Sequence, residues 1–193
     1  LLFEHRNKNI KRMKKYYTIF LIIISCFISI GNSKTGPVKV AFWNVENLFD
    51  KIDDPKTNDE DYLIGGRKNV TNETYNLKFQ NISKVINQIM PDILGLCEVE
   101  NRFILNELNE HLKINYKIVH YESPDQRGID VGLLYNPNRI SIVESSPIKV
   151  ILSSGKPTRD ILYIHCKKDD ISLHLYVNHW PSNYGGKEKA IPK

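Results

Sequence analysis

Cysteine is scarce in this sequence, with three residues in 193 and no Cys-x-x-Cys or Cys/His spacing. Thiolate zinc chemistry is therefore excluded. No internal repeat, low-complexity segment or Pro/Gly/Ser-rich linker divides the chain, and 41% apolar with 25% charged residues is globular composition. The body also lacks a charge surplus. Residues 1–33 hold six Lys and Arg against the single acid Glu4, while residues 34–193 hold 21 bases and 21 acids. The sequence pI near 9.0 thus reflects the N-terminus, and any basic groove must be local. Ser182 lies near His179, but no nucleophile elbow surrounds it, which excludes a serine hydrolase built on that pair.

One apolar run stands out, Thr18 to Ile30, preceded by Met13-Lys14-Lys15 and followed by small polar residues. It is short for a transmembrane helix and reads as a secretory signal peptide, with translation starting at Met13 and cleavage near Ser33. No membrane span is expected in the mature chain. The alternative is a lipoprotein signal, because Ile23-Ile24-Ser25-Cys26 resembles a lipobox; the apolar "FISI" after Cys26 argues against it. Either reading sends the protein out of the cytoplasm, secreted or periplasmic in the first case and anchored through Cys26 in the second. Residues 34–193 form the expected domain. Cys97 and Cys166 sit in the apolar segments "ILGLCEV" and "DILYIHC" and read as buried thiols, with a disulfide between them left open.

The order of elements starts with a buried strand, "VKVAFW", and a long polar loop over 50–71. The spacing of Phe79, Ile82, Ile86 and Ile89 predicts a helix over about 73–90, ended by Pro91. "DILGLCEVE" is a second buried strand, with a short helix near 102–112. Further strands are expected at 116–121, 130–136, 140–152 in two pieces, 160–166 and 171–180. Strand–helix–strand followed by hairpins indicates an α/β sandwich with a mixed sheet.

Three of these strands end in polar side chains: Asn44, Glu46 and Asn47; Glu98 and Glu100; Asn178 and His179. A carboxylate directly after an apolar run is costly unless it is paired or holds a cation. Amides, hard carboxylates and a histidine without thiolate suit an oxygen-ligated Mg²⁺, Mn²⁺ or Ca²⁺ acting on a phosphate. Arg127 and Asp130 in "DQRGIDVG" and Arg159 in "TRDIL" are candidate phosphate contacts, with Arg127–Asp130 and Arg159–Asp160 pairing as the alternative. Asn178 is a further candidate. Glu100 reads as a neighbour of Glu98 rather than a ligand. His120 and Tyr121 end a strand at the cleft, and His165 and His174 read as ordinary strand residues.

"FWNVENLFD", "PDILGLCEVEN", "RGIDVGLLYN", "TRDIL" and "VNHWPSNYGG", in this order, resemble the endonuclease/exonuclease/phosphatase family, the superfamily of deoxyribonuclease I, exonuclease III and the sphingomyelinases. The likeness is strongest to secreted bacterial members and covers about residues 37–190. It implies a four-layer α/β sandwich and divalent-cation-dependent cleavage of phosphoester bonds. By the same resemblance, Asn44 helps hold the attacking water and phosphate, Glu98 is the principal metal ligand, and His179 hydrogen-bonds the scissile phosphate. Glu46 is a looser match to a second metal-side carboxylate. Asn183 and Tyr184 stand where relatives are richer in Arg or Lys, which weakens inference about the substrate's charge.

The family's later Asp-x-Asn strand end and final Asp-His pair do not occur before Lys193. The sequence is accordingly expected to hold about the front half of such a domain and to be inactive alone. Most of the second sheet would be missing, leaving part of an inner face formed by Val40, Phe42, Ile93, Leu94, Leu133, Leu175 and Val177 in water. Two functional classes follow: a secreted metal-dependent phosphodiesterase, with nucleic acid the favoured substrate and a phospholipid or sugar phosphate the alternative, or a non-catalytic phosphate- or metal-binding module. Nothing in the sequence names a protein partner.

Overall fold

A computed structural model describes residues 36–152, 155 and 158–180. The leader, including Cys26, and the positions Ser182, Asn183 and Tyr184 lie outside the described residues. The helices and strands all belong to the unit Val38–Lys193.

Strand β1 (Val40–Leu48) runs parallel to β2 (Ile93–Val99), with helix α1 (Asn72–Ile89) between them in sequence and helix α2 (Arg102–Glu110) after β2. Strands β3 (Lys117–His120) and β4 (Asp130–Tyr135) complete a mixed sheet of order β1-β2-β4-β3. Strands β5 (Ser141–Ile148), β6 (Ile161–Lys168) and β7 (Ile171–Val177) form a second, antiparallel sheet.

Local sequence explains the helices. The Thr71 hydroxyl accepts the Thr74 N–H at 3.1 Å while the Thr74 hydroxyl accepts the Thr71 N–H at 2.9 Å, a reciprocal cap that satisfies orphan donors. Tyr75, Phe79, Ile82 and Ile86 form the buried face of α1, and Met90 ends it in a left-handed conformation before Pro91. Asn101 caps α2 by accepting the Ile104 N–H at 2.9 Å. Strand β2 is an almost continuous apolar run because both its faces are covered.

The two helices pack on one face of the mixed sheet through Phe79, Ile82, Leu94, Leu96, Leu105 and Leu134. The antiparallel sheet packs on the other through Ile93, Cys97, Leu133, Leu162, Ile164 and Val177. This is an α/β sandwich, with three layers formed by the described residues.

Several expectations change. The second sheet is present and covers Ile93 and Leu133; Leu175 and Val177 belong to that sheet, and Leu94 faces the helices. Val40 and Phe42, expected in the core, are 57% and 58% exposed, because β1 is the edge strand of its sheet. Residues 140–152 give one strand with a register shift between Ile142 and Glu144 rather than two pieces. The polar loop contains a short 3-10 turn, Glu60–Tyr62, and an Ile64–Val70 bridge. Cys97 and Cys166 are free, buried thiols, with burial pushing Cys97 up to about 11.

Candidate active site

Backbone register explains why polar side chains crowd the end of β1. Asn44 pairs with Cys97 and Leu48 with Val99, so Val45, Glu46 and Asn47 lie opposite Glu98 alone. On the other side of β2 the register slips at the same place, Cys97 pairing with Val131 and Val99 with Asp130. Glu46, Asn47 and Glu98 all have φ between 55° and 60°, left-handed backbone that non-glycine residues seldom adopt. Such bulges redirect side chains. Here the redirected group is the Glu98 carboxylate.

Glu98 is a hub. Its Oε1 accepts from Asn44 Nδ2 and its Oε2 from the Asn47 N–H, both at 2.9 Å. His179, two residues after the end of β7, places Nε2 3.4 Å from Oε1. Asn44 Oδ1 in turn accepts the Glu46 N–H at 2.8 Å. Lys78 of α1 donates from Nζ to the Glu46 carbonyl and, at 2.8 Å, to the Asn47 carbonyl, bracing the bulge from the helix side. Burial holds its ammonium below the usual lysine range, opposed by the charges of Glu46 and Glu98.

Behind His179 stands Arg159. Its Nε donates to the His179 carbonyl at 3.2 Å and its Nη1 to Asp125 Oδ2 at 2.7 Å. Asp125 Oδ1 accepts the Arg127 N–H at 3.0 Å and lies 3.9 Å from Arg127 Nε. Burial, then the positive charges of Arg159 and Arg127, hold the His179 imidazole below its ordinary value against the opposing pull of Glu98 and Asp125. His179 Nδ1 and Asn47 Oδ1 are buried and form no hydrogen bond among the described residues. A carboxylate has about four lone-pair sites, of which hydrogen bonds engage two here, and the neighbouring unspent amide oxygen is another hard donor. The residues present fit a divalent cation of the Mg²⁺ or Mn²⁺ type.

Not every candidate joins this group. Asp130 is buried; its Oδ1 accepts from the Ser123 N–H at 3.1 Å and from the Ser123 hydroxyl, and its Oδ2 faces His120 Nε2 at 3.5 Å. Its partner is His120, not Arg127, and its carboxylate has no contact with Glu98, Asn44 or His179 among the described residues. Asn178 donates to the Tyr176 carbonyl at 3.3 Å and alternates away from His179 along the extended chain. Arg159 pairs with Asp125, not Asp160, whose Oδ1 accepts the Val150 N–H at 3.4 Å. Glu100 is buried, accepting the Asp50 N–H at 2.6 Å, and burial pushes its carboxyl up to about 8. Sequence reasoning misses Lys78, Asp125 and the Asn47 N–H. Asp125 reads as an ordinary turn residue in "SPDQRG", and its partner lies 34 residues away.

Residues 39–193 match the model of the Endonuclease/Exonuclease/phosphatase family. Among solved structures, D. rerio TDP2 humanized by 14 mutations is 16% identical, with 76% of this chain and 49% of that chain covered and a TM-score of 0.52. TDP2 from Caenorhabditis elegans is 17% identical, with 76% and 36% covered and a TM-score of 0.51. At these identities the likeness shows the fold alone, and the chain spans half or less of the length of both structures. No curated protein matches the sequence.

Proposed function

The chain belongs to the endonuclease/exonuclease/phosphatase family, and from that premise we propose that its site serves the metal-dependent hydrolysis of phosphodiesters, with nucleic acid as the substrate. The observation that carries this reading is the convergence on Glu98 of Asn44 and the Asn47 N–H from one sheet and His179 from the other.

Glu98, with Glu46 beside it, would hold Mg²⁺ or Mn²⁺, which supplies Lewis-acid polarisation of a phosphoryl oxygen and a more acidic bound water. Asn44 and His179 orient the phosphate and donate to charge developing on it. Arg159 fixes the His179 backbone, and with Arg127 it supplies positive field for an anionic ester. The near-neutral body gives no general pull towards nucleic acid, but the local surroundings do. Asn47, Tyr62, Lys68 and Lys78 line one cavity, and Arg127 and Arg159 flank His179 on the other side. Lysines lining a cavity suit the anionic backbone of a nucleic acid. Export through the leader at 13–33 belongs to the same reading.

The test uses single-stranded and duplex DNA oligonucleotides with Mg²⁺ or Mn²⁺. Cleavage by wild type that EDTA abolishes and Lys78→Ala weakens supports a nucleic acid substrate. Cleavage of bis(p-nitrophenyl) phosphate with no cleavage of either oligonucleotide would keep the hydrolase and remove the nucleic acid.

A further inference from the structure

His120 closes β3, Asp130 opens β4, and Glu122 lies between them in the loop that follows His120. The side chains of His120 and Asp130 are each only 2% exposed, while Glu122 is 69% exposed. One ligand atom from each of the three can be chosen so that all lie within 4.8 Å of one another. His120 Nε2 and Asp130 Oδ2 face each other at 3.5 Å, and neither forms a hydrogen bond among the described residues. The other carboxylate oxygen of Asp130 is already satisfied by Ser123. Glu122 Oε1 sits 3.7 Å from His120 Nδ1.

We propose that His120, Glu122 and Asp130 form a second divalent-cation site, distinct from the Glu98 centre, that binds a first-row transition ion such as Zn²⁺. Buried polar atoms that face each other at 3.5 Å without a hydrogen bond are costly, and an ion between them would satisfy both better than this contact does. Tetrahedral Zn²⁺ with bonds of about 2.0–2.2 Å places its donors roughly 3.3–3.6 Å apart; His120 Nε2 and Asp130 Oδ2 already stand at 3.5 Å, and the exposed Glu122 carboxylate rotates in to complete the set. One imidazole with two carboxylates and no thiolate favours Zn²⁺ or Mn²⁺ over Ca²⁺, and Zn²⁺ is the stronger binder of the two. A cation would also offset two carboxylates gathered around a buried imidazole.

Access is available because Glu122 lines two open cavities, one with Asp54, Asn101 and Asp125 and the other with Lys149 and Asp160. The ion would tie the end of β3 to the start of β4 and hold the loop 121–129. That loop carries Asp125 and Arg127, the groups behind Arg159 and His179. The role is therefore to fix the loop that positions His179, and it does not depend on the hydrolysis reading.

The test is Zn²⁺ stoichiometry by equilibrium dialysis of the full chain, in a Glu98→Gln background that removes the other centre. The expected result is one Zn²⁺ per chain in Glu98→Gln, at least tenfold weaker binding in Glu98→Gln/Glu122→Gln, and a Zn²⁺-induced rise in melting temperature only in the former. Glu122 is exposed, so its substitution leaves folding intact. A Co²⁺-loaded Glu98→Gln sample should show ligand-field absorption that His120→Gln loses. No Zn²⁺ bound by Glu98→Gln, or equal binding by the double variant, would overturn the proposal. Loss or retention of phosphodiester cleavage would leave these readings unmoved, so the two claims fail separately.

Discussion

His179 Nε2 lies 3.4 Å from Glu98 Oε1 although the two residues come from different sheets. That meeting exists only because Ile93 and Leu133 of the mixed sheet pack against Val177, two residues before His179. The sandwich core and the site are thus one construction. His179→Ala should lower turnover by about 10²-fold or more, the scale of losing a transition-state donor, with the melting temperature nearly unchanged. Initial rates paired with thermal melts check this. A loss below about threefold would reduce His179 to a strand-end residue.

Arg159 and Asp125 form a buried pair at 2.7 Å, and both act on His179. In the metal-free protein His179 should titrate below 6.5, since burial and Arg159 both disfavour its cation. Arg159→Gln should raise that value, and Asp125→Asn should lower it further by removing an opposing charge. Asp125→Asn should also cost roughly 3 kcal/mol by leaving a buried guanidinium unpaired. Proton NMR of the His179 ring and urea unfolding measure the two effects. Shifts in the same direction for both variants would contradict this arrangement.

Glu100 predicts a pH dependence of stability. Its carboxyl is raised from its ordinary 4.5 to about 8, chiefly by burial. The folded chain holds this proton to about pH 8 while the unfolded chain releases it near 4.5. Its contribution to stability is complete below 4.5 and is lost as pH rises through about 8. Glu100→Gln keeps an acceptor for the Asp50 N–H and cannot ionise. Unfolding at pH 5 and pH 9 should show wild type losing more stability than the variant, by an amount on the order of 1 kcal/mol or more. Parallel profiles would show that Glu100 does not carry the effect.

Gly132 tests the packing of α2 on the mixed sheet. A Cβ there would sit 2.8 Å from Leu105 Cδ1, and Leu105 is fully buried. Gly132→Ala should destabilise by about 1–3 kcal/mol, the usual cost of overpacking. A thermal melt within about 1 °C of wild type would contradict this packing.

The order of elements and both helices are legible in the sequence, because periodicity is local. Pro91 announces its helix boundary without tertiary help, whereas the caps at Thr71 and Asn101 emerge only with the structure. Glu98 and His179 stand out as strand-end groups, since a polar side chain after an apolar run is conspicuous. What stays hidden depends on register. The double slip around Glu98 leaves no mark in "LCEVEN", and nothing near Asp125 names Arg159 as its partner. Val40 and Phe42 read as core because apolar alternation looks the same on an edge strand as on a central one. Asp130 reads as a phosphate contact, whereas its partners are Ser123 and His120, one seven and one ten residues earlier.

Hydrolysis of bis(p-nitrophenyl) phosphate, followed across a titration of Mg²⁺ and of Mn²⁺, tests the central role of Glu98 most directly. Wild type should show activity that rises to saturation with metal and disappears with EDTA. Glu98→Gln should need far more metal and remain at least about 10²-fold slower at saturation. Equal rates for the two proteins at every metal concentration would remove Glu98, and with it the whole convergence of strand ends, from the chemistry.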